Sequence, residues 1–262
     1  MTGRAGLVAL DVDGTLLRYD GVLSPAVRAA VADVRAAGLH VVLATGRSVA
    51  ALVPVAHDLG LTSGYAVCSN GSITIELDGD GYRLVDVVRF DPGPALRALA
   101  AELPDAIIAV EDVGVGFRVS APFPADELAG VHTVVSFDEL ASQPATRVVL
   151  RAPQTTPEEF HEIVHRVGLH EVTYAVGWSA WLDLTPGGVS KASALEQVRQ
   201  HLGVEPFATV AVGDGGNDLE MLRWAARGVA MGHAAPAVRE AADEVTGTID
   251  DDGAVPVLRS LL

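Results

Sequence analysis

Two carboxylates stand two positions apart at the end of an apolar run in "LVALDVDGTLL", residues 7–17, with a glycine directly behind them. In an extended chain residues i and i+2 project to the same side, so Asp11 and Asp13 are expected to face one site. Gly14 allows the sharp exit that such a pair needs. Asp-Gly is also a common turn pair, and the two aspartates alone do not separate chemistry from a turn. Three further segments carry matching chemistry. In "VVLATGR", Thr45, Gly46 and Arg47 offer a hydroxyl, free amides at a helix start and a guanidinium, a set suited to a phosphate. In "TVAVGDGGND", Asp214 follows another apolar run, and Asn217 and Asp218 stand at the next helix start. Lys191, in "GGVSK", is the one lysine among 18 basic residues. A compact ammonium can enter a crowded anionic site that a planar guanidinium does not fit. Hard oxygen ligands around so few positive charges suit Mg²⁺, which takes carboxylates, waters and phosphate oxygens.

These residues need a scaffold that brings distant segments to one edge. Apolar runs of strand length alternate with helical patterns, the signature of a parallel sheet with crossover helices. "GLVAL" reads as the first strand. Ser24 then caps a helix with Pro25 in its first turn, apolar positions at Val27, Val31 and Val34, and Gly38 at its end. "HVVLA" is a second strand, a helix runs from after Gly46 to about Leu59, and "YAVCS" is a third strand. The alternation resumes with a helix from Ser190, the strand "ATVAV" and a helix after Asn217. Open α/β sheets place their ligand crevice at the carboxyl ends of strands, where Asp11, Thr45 and Asp214 fall. Between these halves the texture changes. Strand-like "LVDVVRF", "AIIAVED", "GFRVS", "TRVVLRA" and "EVTYAVGW" surround helices at 92–103 and 157–167, which reads as an inserted α+β domain. The expected organisation is an α/β, Rossmann-like parallel-sheet core of residues 1–83 and 187–262, with residues 84–186 inserted.

With 262 residues, 49% of them hydrophobic, the chain can bury a large core or a core plus a smaller domain. A net charge of -16 argues against a nucleic-acid partner. No apolar run approaches the ~20 residues that cross a bilayer, and Asp11 comes too early for a signal peptide, so no membrane partner is expected. The single cysteine, Cys68, cannot form an internal disulfide, which agrees with a reducing, cytoplasmic setting. Nothing in the sequence chooses between a monomer and a homodimer.

"DVDGT", "ATGR", the lysine of "GGVSK" and "GDGGND" resemble, in order and spacing, the four motifs of the haloacid dehalogenase superfamily of aspartate-nucleophile phosphatases. The chain is most similar to the Cof-type branch, whose large α/β cap is inserted after the third strand. Ala192 departs from the pattern, where a glycine commonly follows the motif lysine; a change in local packing is expected there. The resemblance implies that Asp11 attacks phosphorus and that Asp13 serves as general acid and then base. It implies Mg²⁺ held by Asp11, the main-chain carbonyl of Asp13 and Asp214, with Asn217 and Asp218 completing or orienting the outer shell. Thr45 and Lys191 would bind the phosphoryl oxygens, and the substrate would be a small phosphorylated metabolite, commonly a sugar phosphate.

Three rivals bear on this reading. "HEIVHRVGLHE" holds His161, Glu162 and His165 in the HExxH spacing of zinc hydrolases. The third histidine, His170, falls one residue early, Glu171 occupies its expected place, and no methionine follows before Met221. A helix capped by Thr156, with Phe160, Ile163, Val164 and Val167 inward and Gly168 as its stop, accounts for the segment. A phospho-receiver would use a similar aspartate but has no need of a ~100-residue insertion, a size suited to closing over a small molecule. A phosphomutase or phosphotransferase would share the same nucleophile, and the motifs do not separate it from a hydrolase. Substrate choice is expected within the insertion, where Glu111, Asp112, Trp178, Trp181 and Asp183 are candidates.

Overall fold

The computed structural model describes residues 6–124, 127–169, 172–176 and 180–262. It divides into two compact units, one of Met1–Gly46, Leu52–Asp86 and Ser190–Leu262, the other of Arg47–Ala51 and Val87–Val189.

The first unit opens with β1 (Leu7–Leu10), buried throughout. The Ser24 hydroxyl then accepts from the amides of Ala26 and Val27 at 3.1 and 3.3 Å and starts α1 (Pro25–Ala36). This meets two donors that the first helical turn leaves unpaired. Val27, Ala30, Val31 and Val34 form its buried stripe. There follow β2 (His40–Ala44), α2 (Val49–Asp58), β3 (Ser63–Cys68), β4 (Ile73–Asp78) and β5 (Gly81–Val87).

The second unit holds α3 (Gly93–Glu102), β6 (Ile107–Asp112), β7 (Gly116–Val119), β8 (Val131–Val134), α4 (Phe137–Ser142), β9 (Val148–Arg151), α5 (Pro157–Val167), β10 (Val172–Val176) and β11 (Trp181–Pro186). Its six-stranded sheet runs β10-β11-β9-β6-β7-β8. Period-two alternation gives the sheet two apolar faces. Val110, Val148, Leu150 and Leu182 pack with Leu96, Leu99, Leu140 and Phe160 of the helices, while Ala109, Phe117 and Val149 form a separate cluster.

The chain returns to the first unit with α6 (Lys191–His201), β12 (Thr209–Gly213), α7 (Leu219–Trp224), β13 (Arg227–Ala230), α8 (Pro236–Ala241), β14 (Glu244–Val245) and α9 (Ala254–Arg259). The eight-stranded sheet runs β14-β13-β12-β1-β2-β3-β4-β5. Pairing is parallel from β14 to β3, the crossover arrangement the sequence implies, and turns antiparallel at β3 and β4. Only a tight turn separates β3 from β4, too little chain for a parallel crossover. β5 begins at Gly81 and joins this larger sheet, so residues 84–86, which the sequence reading puts in the insertion, lie in a strand of the first unit. The first five residues of β5 are exposed, and the strand-like run "LVDVVRF" that overlaps it carries no mark of the sheet it joins. Leu10 stands level with Val212 and Leu43, and this register brings the ends of β1, β12 and β2 together.

The HExxH segment lies on α5, which carries a capping box between Thr156 and Glu159 and ends at Gly168 in the left-handed conformation. Phe160 and Val164 are buried, and His161, Glu162 and His165 are exposed. Among the described residues these three form no group able to hold a metal. His170 and Glu171 lie outside the described residues, as does Trp178.

Of the other substrate-choice candidates, Glu111, Trp181 and Asp183 are engaged within the second unit. Glu111 is buried and accepts from the Thr146 hydroxyl at 3.0 Å. Asp183 accepts from Arg147 Nε at 2.6 Å and from Trp181 Nε1 at 3.0 Å, and Asp112 is exposed. Among the described residues no helix is long and apolar enough to cross a membrane.

Candidate active site

The Asp11 amide donates to the Val212 carbonyl at 3.0 Å, carrying the sheet bonding one residue past β1 and fixing the backbone beneath a nearly buried carboxylate. Lys191 is the first residue of α6 and is wholly buried. A cation in the first turn opposes the helix dipole, so its place there needs strong local compensation. Two carboxylates supply it. Lys191 Nζ donates to Asp11 Oδ1 at 2.6 Å and to Asp218 Oδ1 at 2.7 Å. The other oxygen of Asp218 accepts the amides of Asp214 and Gly215 at 3.0 and 2.9 Å. With both oxygens engaged, Asp218 braces the ammonium and the loop after β12.

Asp214 takes two side-chain hydrogen bonds and lies beside a histidine. Thr15 Oγ1 donates to its Oδ1 at 3.3 Å, the Tyr19 hydroxyl donates to Oδ2 at 2.9 Å, and His233 Nε2 lies 3.4 Å from Oδ2. His233 Nδ1 accepts the Ile249 amide at 3.2 Å, which leaves the ring proton of the neutral imidazole on Nε2, beside Asp214. Gly14 has φ +80°, and a Cβ there would stand 2.3 Å from Asp214 Oδ2. The glycine behind the aspartate pair therefore admits the carboxylate arriving from β12.

One oxygen from each of Asp11, Asp214 and Asp218 lies within 4.8 Å of the others, a group that could hold a metal ion. Burial, then the charge of Asp218, pushes the Asp11 carboxyl well above its usual range despite Lys191. Burial raises Asp214 as well, with the Tyr19 hydrogen bond pulling the other way. Burial alone would lower the Lys191 ammonium, but Asp11 and Asp218 hold it above its ordinary value. The Tyr19 phenol is raised by burial and then by its bond to Asp214. Three carboxylates thus share one buried ammonium, a deficit of positive charge in a set of hard oxygen donors.

Thr45 is buried at the end of β2, its amide donating to Val67 at 2.9 Å and its carbonyl accepting from Asn70 at 3.0 Å. Asn217 Nδ2 donates to Asn70 Oδ1 at 2.9 Å, so Asn70 links the Thr45–Gly46 turn to the loop after β12. Arg47 Nη1 reaches the Ala51 carbonyl at 3.5 Å. Asp13 is half-buried two residues beyond Asp11 and is outside the group formed with Asp214 and Asp218. Its charge, with that of Asp11, reaches the Tyr19 hydroxyl.

A family model for haloacid dehalogenase-like hydrolases matches residues 8–90 and 124–258. The chain belongs to this family. Among relatives of this haloacid dehalogenase-like hydrolase, the pyridoxal phosphate phosphatase YbhA of Escherichia coli is 30% identical over 278 residues, covering 98% of each chain. The phosphoglycolate phosphatase of Natronomonas pharaonis is 30% identical over 251 residues, covering 96% of this chain and 95% of its own. The solved structure of the subclass IIB sugar phosphatase BT4131 superposes with a TM-score of 0.83 at 26% identity, over 98% of this chain and all of that one. The present haloacid dehalogenase-like hydrolase is accordingly an enzyme that hydrolyses phosphomonoesters. Sequence reasoning misses four of its site neighbours: Thr15, Tyr19, Asn70 and His233. The signal that could find Thr15 and Tyr19 is their nearness to Asp13 in the chain; Asn70 and His233 follow strand ends but belong to no chemical pattern.

Proposed function

We propose that this chain is a Mg²⁺-dependent phosphatase of small phosphorylated metabolites, sugar phosphates among them, working through an aspartyl-phosphate on Asp11. The observation that carries this reading is Lys191, fully buried and bonded to Asp11 and Asp218 beside Asp214. A structural ion pair needs one carboxylate, and here three gather, with Lys191 on only one of the two Asp11 oxygens. Mg²⁺ suits the donor set, and the residues to hold it are Asp11, Asp214 and the Asp13 carbonyl; bound there, it would offset the excess negative charge and orient the phosphate. Asp218 and Asn217 support that set from outside.

Asp11 attacks phosphorus and the bond to the ester oxygen breaks, with Asp13 protonating the departing alkoxide. Asp13 then takes a proton from water, which attacks phosphorus and releases Asp11 and inorganic phosphate. Thr45, the Gly46 amide, Arg47 and Lys191 stabilise the phosphoryl oxygens, since phosphoryl transfer depends chiefly on positioning and charge stabilisation. The inserted domain is the part of the chain left to select the organic part of the substrate, since the phosphate-handling residues leave that choice open. Named relatives act on pyridoxal phosphate, phosphoglycolate and sugar phosphates, which share only the phosphomonoester. The enzyme works in the cytoplasm as a monomer or homodimer. A screen of phosphorylated metabolites with Mg²⁺ tests the reading: release of inorganic phosphate supports it, and transfer of the phosphoryl group to a second sugar position would make the enzyme a mutase.

A further inference from the structure

Among the described residues, three positions other than glycine have a left-handed backbone: Ser69, Asn70 and Asp252. Two are consecutive, with φ of +49° and +55°, and Gly71 follows at +104°. Positive φ at both central residues marks the hairpin turn that favours glycine at the second of them. Here the glycine comes one residue later, and side chains occupy both strained positions. Such conformations persist where the surroundings over-determine them, and they collect at functional sites. The surroundings are visible. The Asn70 amide is held by the Thr45 carbonyl at 3.0 Å, and a Cβ on Gly71 would lie 2.2 Å from the Ser190 carbonyl, directly before Lys191. The strained turn is thus fitted between the end of β2 and the start of α6.

The Asn70 side chain is equally well placed. Its Oδ1 accepts from Asn217, and a Cβ on Gly46 would stand 3.1 Å from that oxygen and 3.4 Å from Nδ2. The carboxamide therefore lies on the Gly46 turn, oriented by Asn217, with its Nδ2 protons left to offer. On the reading that Thr45 and Gly46 seat the substrate phosphate, we propose that Asn70 is a further phosphate-binding residue that donates Nδ2–H to a phosphoryl oxygen. The left-handed turn exists to hold it there.

Asn70→Gly separates the side chain from the backbone, because glycine adopts the left-handed turn without strain. It should melt no lower than wild type, while the inhibition constant of inorganic phosphate weakens by about 10–100-fold, the span of one hydrogen bond to a charged group. Asn70→Asp keeps an acceptor for Asn217 but turns a donor into a negative charge, and should weaken phosphate inhibition further. Unchanged phosphate inhibition in both variants would overturn the proposal. So would a loss in Asn70→Gly matched by a fall in melting temperature, which would make the side chain a structural clasp. Thr45→Ala tests the seat itself: if it weakens phosphate inhibition and the Asn70 variants do not, the role of Asn70 falls and the seat stands.

Discussion

Lys191→Met removes the buried ammonium while keeping a flexible side chain of similar length. Asp11 and Asp218 then face each other, with bonds of 2.6 and 2.7 Å lost in a place that water does not reach. Removing one partner of a buried ion pair costs about 3–5 kcal/mol. At roughly 2–4 °C per kcal/mol for a chain near this size, the melting temperature should fall by about 6–20 °C without metal. The pH dependence has a definite sign. The Asp11 carboxyl already titrates above its unfolded value, so its contribution to stability is present below the unfolded carboxylate range and is lost as pH rises through the folded value. Loss of Lys191 moves that folded value higher still. Denaturation in EDTA should therefore show the gap between wild type and variant shrinking as pH is lowered toward the unfolded carboxylate range. Turnover should fall by at least ~10²–10³, the loss expected for one preorganised charge contact. A gap below about 0.5 kcal/mol, as at a featureless surface site, or one that stays constant with pH, would refute the placement of the charge.

Asp13→Asn should slow hydrolysis of an alkyl phosphate by ~10²–10⁴ and spare the first step with p-nitrophenyl phosphate, whose leaving group needs no proton. Equal losses on the two substrates, read by single-turnover kinetics, would remove Asp13 as the acid. His233→Asn keeps an acceptor for the Ile249 amide while deleting the Nε2–H beside Asp214. It should weaken Mg²⁺ binding by roughly tenfold, the lower end for partners that orient metal ligands, and calorimetry on the substrate-free protein would read it directly. An unchanged affinity would mean that Thr15 and Tyr19 suffice to hold Asp214.

The strand ends were legible because each joins an apolar run to a polar residue that the run itself does not need. Asp11, Thr45 and Asp214 stand out for that reason, and Lys191 for being the one lysine in the chain. The meeting of Lys191 with Asp11 and Asp218 depends on β1 lying between β2 and β12, which crossover topology makes natural but spacing alone does not measure. Asn70 and His233 were invisible for a different reason. An Asn-Gly pair after a strand reads as a turn, and a lone histidine after β13 acquires meaning only when folding brings it to Asp214 from 19 positions away. The antiparallel edge was hidden in another way: "LVDVVRF" reads as a strand, but nothing in it shows that it pairs with β4 and not within the insertion.

The central claim is that Asp11 itself becomes phosphorylated, and borohydride reduction during turnover tests it most directly. An aspartyl-phosphate is reduced to homoserine, which peptide mapping by mass spectrometry places at a single residue. In the presence of substrate and Mg²⁺, homoserine should appear at position 11 and nowhere else, and Asp11→Asn should abolish both the label and the release of phosphate. Sustained turnover with position 11 unmodified, or label at another carboxylate, would contradict the account.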